Sequence, residues 1–187
     1  MWFATPSLCD SFIHYAMPVS RRFRLLLLPG PISCIRIDID DFKKFNEHPF
    51  DHAVGDEALK HLVNIVRQKV RTRDRVYRLG GDEFAVLCPD LSVNEAQGMM
   101  SRVSATLKQR PVPLHVAGHI PPLTLSVGIA ECNDSVQIKH IFDLADRAAI
   151  QSKINGKDRI TLASASAGSL SLPGAQTGAQ SMPTESM

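Results

Sequence analysis

Two short acidic stretches hold the residues that could do chemistry: Asp38-Ile39-Asp40-Asp41, and Asp82-Glu83 directly after Gly80-Gly81. Carboxylates are hard oxygen donors, the kind that Mg²⁺ and Mn²⁺ prefer. Mg²⁺ takes only one or two of them and fills its remaining positions with water and phosphate oxygens. Two acidic corners meeting at one point would therefore suffice for a metal site beside a phosphate. Taken singly, each stretch has a plainer reading. An acidic hairpin tip is ordinarily a solvated turn, and an acidic strand end is ordinarily a solvated strand end.

The elements around these acids would have to bring them together. Val76-Tyr77 and Phe84-Ala85-Val86-Leu87-Cys88 flank the glycine pair, which predicts a β-hairpin with the acids at its tip. The glycines permit positive φ and leave the backbone open to approach. Ile32 to Asp40 alternates, with Ile35, Ile37 and Ile39 on one side, and predicts a central strand ending in carboxylates. The following turn, Asp41 to Asn46, could offer successive backbone N–H groups to an anion. Helices are predicted over 53–71, from a capping box at Ser92-Val93-Asn94-Glu95 onward, and over 136–153. Asp56 and Glu57 are read in the first turn of the helix that starts at Ala53, where they suit the helix dipole. Further strands are predicted at 114–117, 123–130 and 159–162, with Asn155-Gly156 stopping the third helix. Strands, hairpins and amphipathic helices in this order predict an α/β sandwich, a mainly antiparallel sheet flanked by helices.

Length and composition fit one domain. The 187 residues are 44% hydrophobic with a formal net charge of +2, too little charge to predict nucleic acid as a partner. Cys9, Cys34, Cys88 and Cys132 are scattered, without a C-x-x-C pair, so a reducing cytoplasm is the expected location. No apolar run approaches the roughly 20 residues that span a bilayer. Residues 1–30 are predicted partly helical, residues 31–162 form the domain, and 163–187 read as a disordered tail.

Gly80-Gly81-Asp82-Glu83-Phe84 resembles the signature of the GGDEF family, the diguanylate cyclases, which join two GTP molecules into cyclic di-GMP. Leu123 to Ala130 resembles another strand of that family, and the likeness extends from about Ile32 to Ile160. It implies a fold similar to the palm of nucleotide polymerases and adenylate cyclases. It also implies a divalent cofactor, Mg²⁺ or Mn²⁺, held by Asp38, Asp82 and the Ile39 carbonyl. Asp82 or Glu83 would assist loss of the hydroxyl proton, and the turn at Phe42 and Lys43 would hold phosphates. Gly80 and Gly81 would border the substrate.

Lys153 and Lys157 resemble the family's phosphate-binding pair, with Lys157 where the family has Arg; compensation of the helix dipole is the alternative for both. Asn46 and Asp56 resemble its guanine-reading pair, and His52 its loop histidine. The segment from Asn46 to His52 is one residue longer than the family pattern, and Asp51 replaces its glycine.

Arg71-Thr72-Arg73-Asp74 resembles the family's R-x-x-D site for product inhibition, with Arg78 and Arg102 as further parts of it; an Arg-rich helix end that serves the helix dipole is the alternative. A homodimer follows from the two-fold symmetry of the product, because each copy would hold one GTP. The competing reading is a receptor that binds cyclic di-GMP or GTP without turnover.

Overall fold

The computed structural model describes residues 30–47, 52–113, 122–133 and 138–163, with 52, 138 and 139 described by backbone alone. The expected features over 1–29, 114–117 and 164–187, and the loop residues 48–51, lie outside the described residues.

Strand β1, Ile32–Ile39, is the centre of the molecule, and all eight of its residues are buried. A helix-covered sheet buries both sides of its middle strand, so its polar positions are inside as well. β1 pairs antiparallel with β3, Glu83–Pro89, on one side and with β4, Leu125–Cys132, on the other. β2, Arg75–Gly80, extends the sheet antiparallel beside β3, and β5, Arg159–Leu162, lies parallel to β4. The order is β2-β3-β1-β4-β5. The expected sandwich is therefore present, with one parallel pair at an edge.

Helices α1, His52–Lys69, and α2, Val93–Gln109, cover the sheet face that carries Ile35, Ile37, Ile39, Phe84 and Val86. Leu62, Ile65, Met100 and Val103 complete that core. α2 starts as its sequence predicts, with a reciprocal capping box between Ser92 and Glu95. The Glu131 carboxylate also accepts from the Val93 N–H at 2.6 Å, fixing the helix start to β4.

Helix α3, Ile138–Ile154, covers the opposite face with Ile141, Phe142 and Ala145 against Cys34, Ala85 and Leu87. It lies very close to the sheet. A Cβ on Gly128 would run into the backbone of Ala145, Ala148 and Ala149.

Several boundaries differ from expectation by one or two residues. α1 begins at His52, so Asp56 and Glu57 fall in its second turn and are not dipole partners of the first. β4 begins at Leu125, although the Thr124 carbonyl still accepts from the Asp40 N–H opposite it at 3.0 Å.

Candidate active site

The register of the central strands brings the two acidic stretches together. Asp38, next to the end of β1, stands directly opposite Glu83, the first residue of β3. Residues paired this way project from the same face of a sheet. Asp82 lies in the intervening turn with Gly81, whose φ of 48° is the left-handed conformation that favours glycine. The ladder slips between Arg78 and Gly80, and a Cβ at Gly80 or Gly81 would meet nothing within 4 Å. The backbone of the tip is thus open on the side a ligand would approach. Arg78 steadies the tip, donating from Nε and Nη2 to the Gly81 carbonyl at 2.9 and 2.7 Å.

The Asp38 side chain is only 10% exposed, and Lys153 places its Nζ 2.6 Å from Oδ2. Burial raises the Asp38 carboxyl above the usual carboxylate range. The Lys153 hydrogen bond opposes this, and the charges of Asp82 and Glu83 push it further up. Three carboxylates from two segments therefore share one electrostatic neighbourhood, with Lys153 bonded to the first of them. That donor set fits a hard divalent cation. Among the described residues, no three Asp, Glu, His or Cys side chains converge to hold a metal by themselves. A cation here would need the Asp38 and Asp82 carboxylates, a backbone carbonyl such as that of Ile39, and oxygens of a bound phosphate.

The first acidic stretch does not act as one cluster. Asp40 is buried and committed to structure, accepting from Ser126 Oγ at 2.6 Å and from the Asp158 N–H at 2.9 Å. Asp41 adopts a left-handed conformation ahead of a 3₁₀ turn over Phe42–Phe45. The first amides of such a turn lack intrahelical partners, as an anion nest requires. Phe42 stacks on the buried Phe45, with ring centroids 6.3 Å apart, and Lys43 is exposed beside Glu47. Lys157 donates to Asp41 Oδ1 at 2.6 Å, which holds the Asp41 carboxyl below its ordinary range and raises the Lys157 ammonium. Both lysines picked out in the sequence thus rest on carboxylates of the first acidic stretch.

The lengthened loop does not separate Asn46 from Asp56. A Cβ on Gly55 would collide with the Asn46 side-chain amide, so that amide rests directly on α1 beside Asp56. Asp56 also lines a cleft of about 380 Å³ between α1 and the hairpin, with Leu59 and Phe84 on its apolar side and Arg67 and Arg78 on its basic side. Lys60 and Arg67 were not predicted as site residues. Their signal was present in the 4-3-4 spacing of Asp56, Lys60, Val63 and Arg67, which face that cleft together. His52 contributes the first turn of α1. Arg36 and Asp146 were also missed.

The R-x-x-D motif is internally satisfied. Asp74 is buried, and Arg71 donates to it from its backbone N–H at 2.7 Å and from Nη2 at 2.9 Å. The same guanidinium reaches the Pro89 and Asp90 carbonyls at 2.8 and 2.9 Å, clipping the end of β3 to the turn before β2. Arg78 stands on the hairpin near the far end of β2, and Arg102 is exposed on α2, lying along its own helix toward Gly98.

With this geometry in hand, comparison with known proteins is direct. The family described as "Diguanylate cyclase, GGDEF domain" matches residues 27–159. Diguanylate cyclase DgcP of Pseudomonas aeruginosa is 33% identical over 134 residues, 72% of this chain and 20% of that protein. The active GGEEF domain of a diguanylate cyclase from Vibrio cholerae superposes with a TM-score of 0.64 at 26% identity, covering 84% of this chain and 94% of that one. The GGDEF domain of DgcB from Caulobacter crescentus, solved with c-di-GMP, shares the fold at a TM-score of 0.71 and 22% identity, covering 87% and 97%. The chain spans 20%, 35% and 41% of the lengths of three of its curated relatives. The matched span contains both acidic stretches, the hairpin and the Lys153–Lys157 corner, and the chain belongs to the GGDEF domain family.

Proposed function

We propose that this chain is a diguanylate cyclase domain that condenses two GTP into cyclic di-GMP and releases pyrophosphate. The observation that carries the reading is the register of Asp38 opposite Glu83, with Asp82 one residue away. Family membership supports the same chemistry.

In the reaction, a ribose 3′-hydroxyl attacks an α-phosphate and pyrophosphate leaves, which is mainly a matter of positioning and charge. A divalent cation, Mg²⁺ or Mn²⁺, held by Asp38, Asp82 and the Ile39 carbonyl, would supply charge neutralisation at the triphosphate. Glu83 or Asp82 takes up the hydroxyl proton. Lys153 and Lys157 exchange their carboxylate partners for phosphate oxygens, and the amides at Phe42 and Lys43 hold the chain of phosphates. Asn46 and Asp56 meet the guanine edge, whose N1–H and amino group suit an amide and a carboxylate. Gly80 and Gly81 leave room for the sugar and phosphate, and His52 borders the entry.

Each copy binds one GTP, so turnover requires two copies facing each other as a homodimer. We assign the domain to the cytoplasm, in keeping with scattered cysteines that form no C-x-x-C pair. No helix among the described residues is long and apolar enough to cross a membrane. Product inhibition would use Arg71 and Asp74, with Arg78 and Arg102. Because Arg71 is already engaged, a bound dinucleotide would have to take over its bonds to Pro89 and Asp90.

Incubation with GTP and Mg²⁺, followed by chromatographic separation of nucleotides, tests the proposal. Cyclic di-GMP with pyrophosphate is the expected result. Unchanged GTP with tight dinucleotide binding would overturn it in favour of a receptor.

A further inference from the structure

Arg36 is a charged residue in the middle of the central strand, only 7% exposed. Its neighbours across the two ladders are Ala85 and Gly128, the small residues that leave volume for a long side chain. α3 closes over it. The Phe142 ring lies 5.0 Å from the guanidinium carbon, and Asp146, one turn along, accepts from Nε at 2.8 Å and Nη2 at 2.7 Å. This anchors the guanidinium from one side. On the other side, Nη2 faces Glu83 Oε2 at 3.5 Å, and Nη1 is buried without a partner among the described residues.

An ion pair serving stability alone would be complete within Arg36 and Asp146. Here the fork is fixed at α3 while Nη2, shared with Asp146, also reaches Glu83. Arg36 lies two residues before Asp38 on the same strand face, and Glu83 is opposite Asp38. The guanidinium is therefore beneath the acidic cluster and oriented by α3. We propose that Arg36 is a positioning residue for Glu83, holding its carboxylate beside Asp38, with Asp146 and Phe142 fixing the guanidinium. The effect on turnover rests on the cyclase reading; the effect on the Glu83 side chain does not.

The test uses the full chain with its glutamate side-chain carboxyls labelled with ¹³C, the Glu83 signal being assigned by its loss in Glu83→Gln. In Arg36→Met, the Glu83 signal should narrow and move to the position shared by exposed glutamates. Asp146→Asn should move it part of the way, and Arg36→Lys should restore much of it. In turnover, Arg36→Met should lower kcat about tenfold or more with KM for GTP within about twofold. The same substitution should cost little further in a Glu83→Gln background. Wild-type protein that releases no pyrophosphate would remove the cyclase reading, and the carboxyl spectrum would still decide the role of Arg36. A Glu83 signal unchanged in folded Arg36→Met overturns the proposal. If that variant does not fold, an unchanged signal in both Arg36→Lys and Asp146→Asn overturns it equally.

Discussion

Lys153 closes a 2.6 Å ion pair on Asp38, a carboxylate that is nearly buried. The pair is a compromise. Burial and the neighbouring acids favour the protonated carboxyl, and the lysine favours the ionised one.

Asp38→Asn should separate stability from activity. The Asp38 carboxyl is raised in the folded protein, so folding is helped by its protonated form and hindered by its ionised form. That contribution is most favourable below the unfolded value, roughly 4, and is lost as pH rises through the folded value. At pH 7 the amide should match or exceed the wild type in melting temperature, by a few degrees at most, while turnover falls by about 100-fold or more. The stability difference should shrink at pH 4. Turnover within about fivefold of wild type would remove Asp38 from the metal role.

Lys157→Arg should improve substrate binding. The guanidinium can form two parallel bonds to a phosphate where the ammonium offers a point charge. Lys157 already has a φ of 62°, and its side chain leads out of the helix end toward Asp41. KM for GTP should fall about threefold with little change in kcat. An unchanged KM would mean that residue 157 serves only the Asp41 ion pair.

Gly55→Ala should disturb nucleotide recognition more than folding. Alanine is the better helix former by about 1 kcal/mol, yet its methyl would displace the Asn46 amide. KM for GTP should rise about tenfold, and discrimination against ATP should weaken, with the melting temperature nearly unchanged. Preserved discrimination would show that Asn46 does not read the base.

Arg71→Ala should destabilise the domain whatever it does to feedback. It strands the buried Asp74 carboxylate and releases the Pro89–Asp90 carbonyls. A loss of roughly 2–3 kcal/mol is expected from urea unfolding. Product inhibition should be relieved when measured in a range where the variant stays folded. Unaltered inhibition there would exclude this site, and unaltered stability would contradict the clip.

The legible parts of the sequence were those ruled by short-range physics. The alternation from Ile32 to Ile39, the glycine turn at Gly80-Gly81 and the Ser92–Glu95 capping box each declare a local conformation, and the structure contains all three. What the sequence could not convey depends on pairing between distant segments. Asp38, Asp40 and Asp41 look alike along the chain. Only the register with β4 and the turn before β5 commits Asp40 to Ser126 and Asp158. The place of Gly55 within α1 was legible, but not its contact with the Asn46 side chain, which comes from a distant turn. Arg36 read as the polar half of an alternating strand, whereas helix cover on both faces places it inside with Asp146. Arg71 and Asp74 were legible as a motif but not as a clip, since their other partners are 18 and 19 residues away.

The contact at Gly128 has a mechanical implication. With the α3 backbone seated on that residue, the helix has no slack perpendicular to β4. Arg36, Phe142, Asp146 and Lys153 all depend on where this one rod lies. A single methyl at position 128 would lift it and shift the whole set together, a lesion that would register in catalysis although its origin is wholly interior.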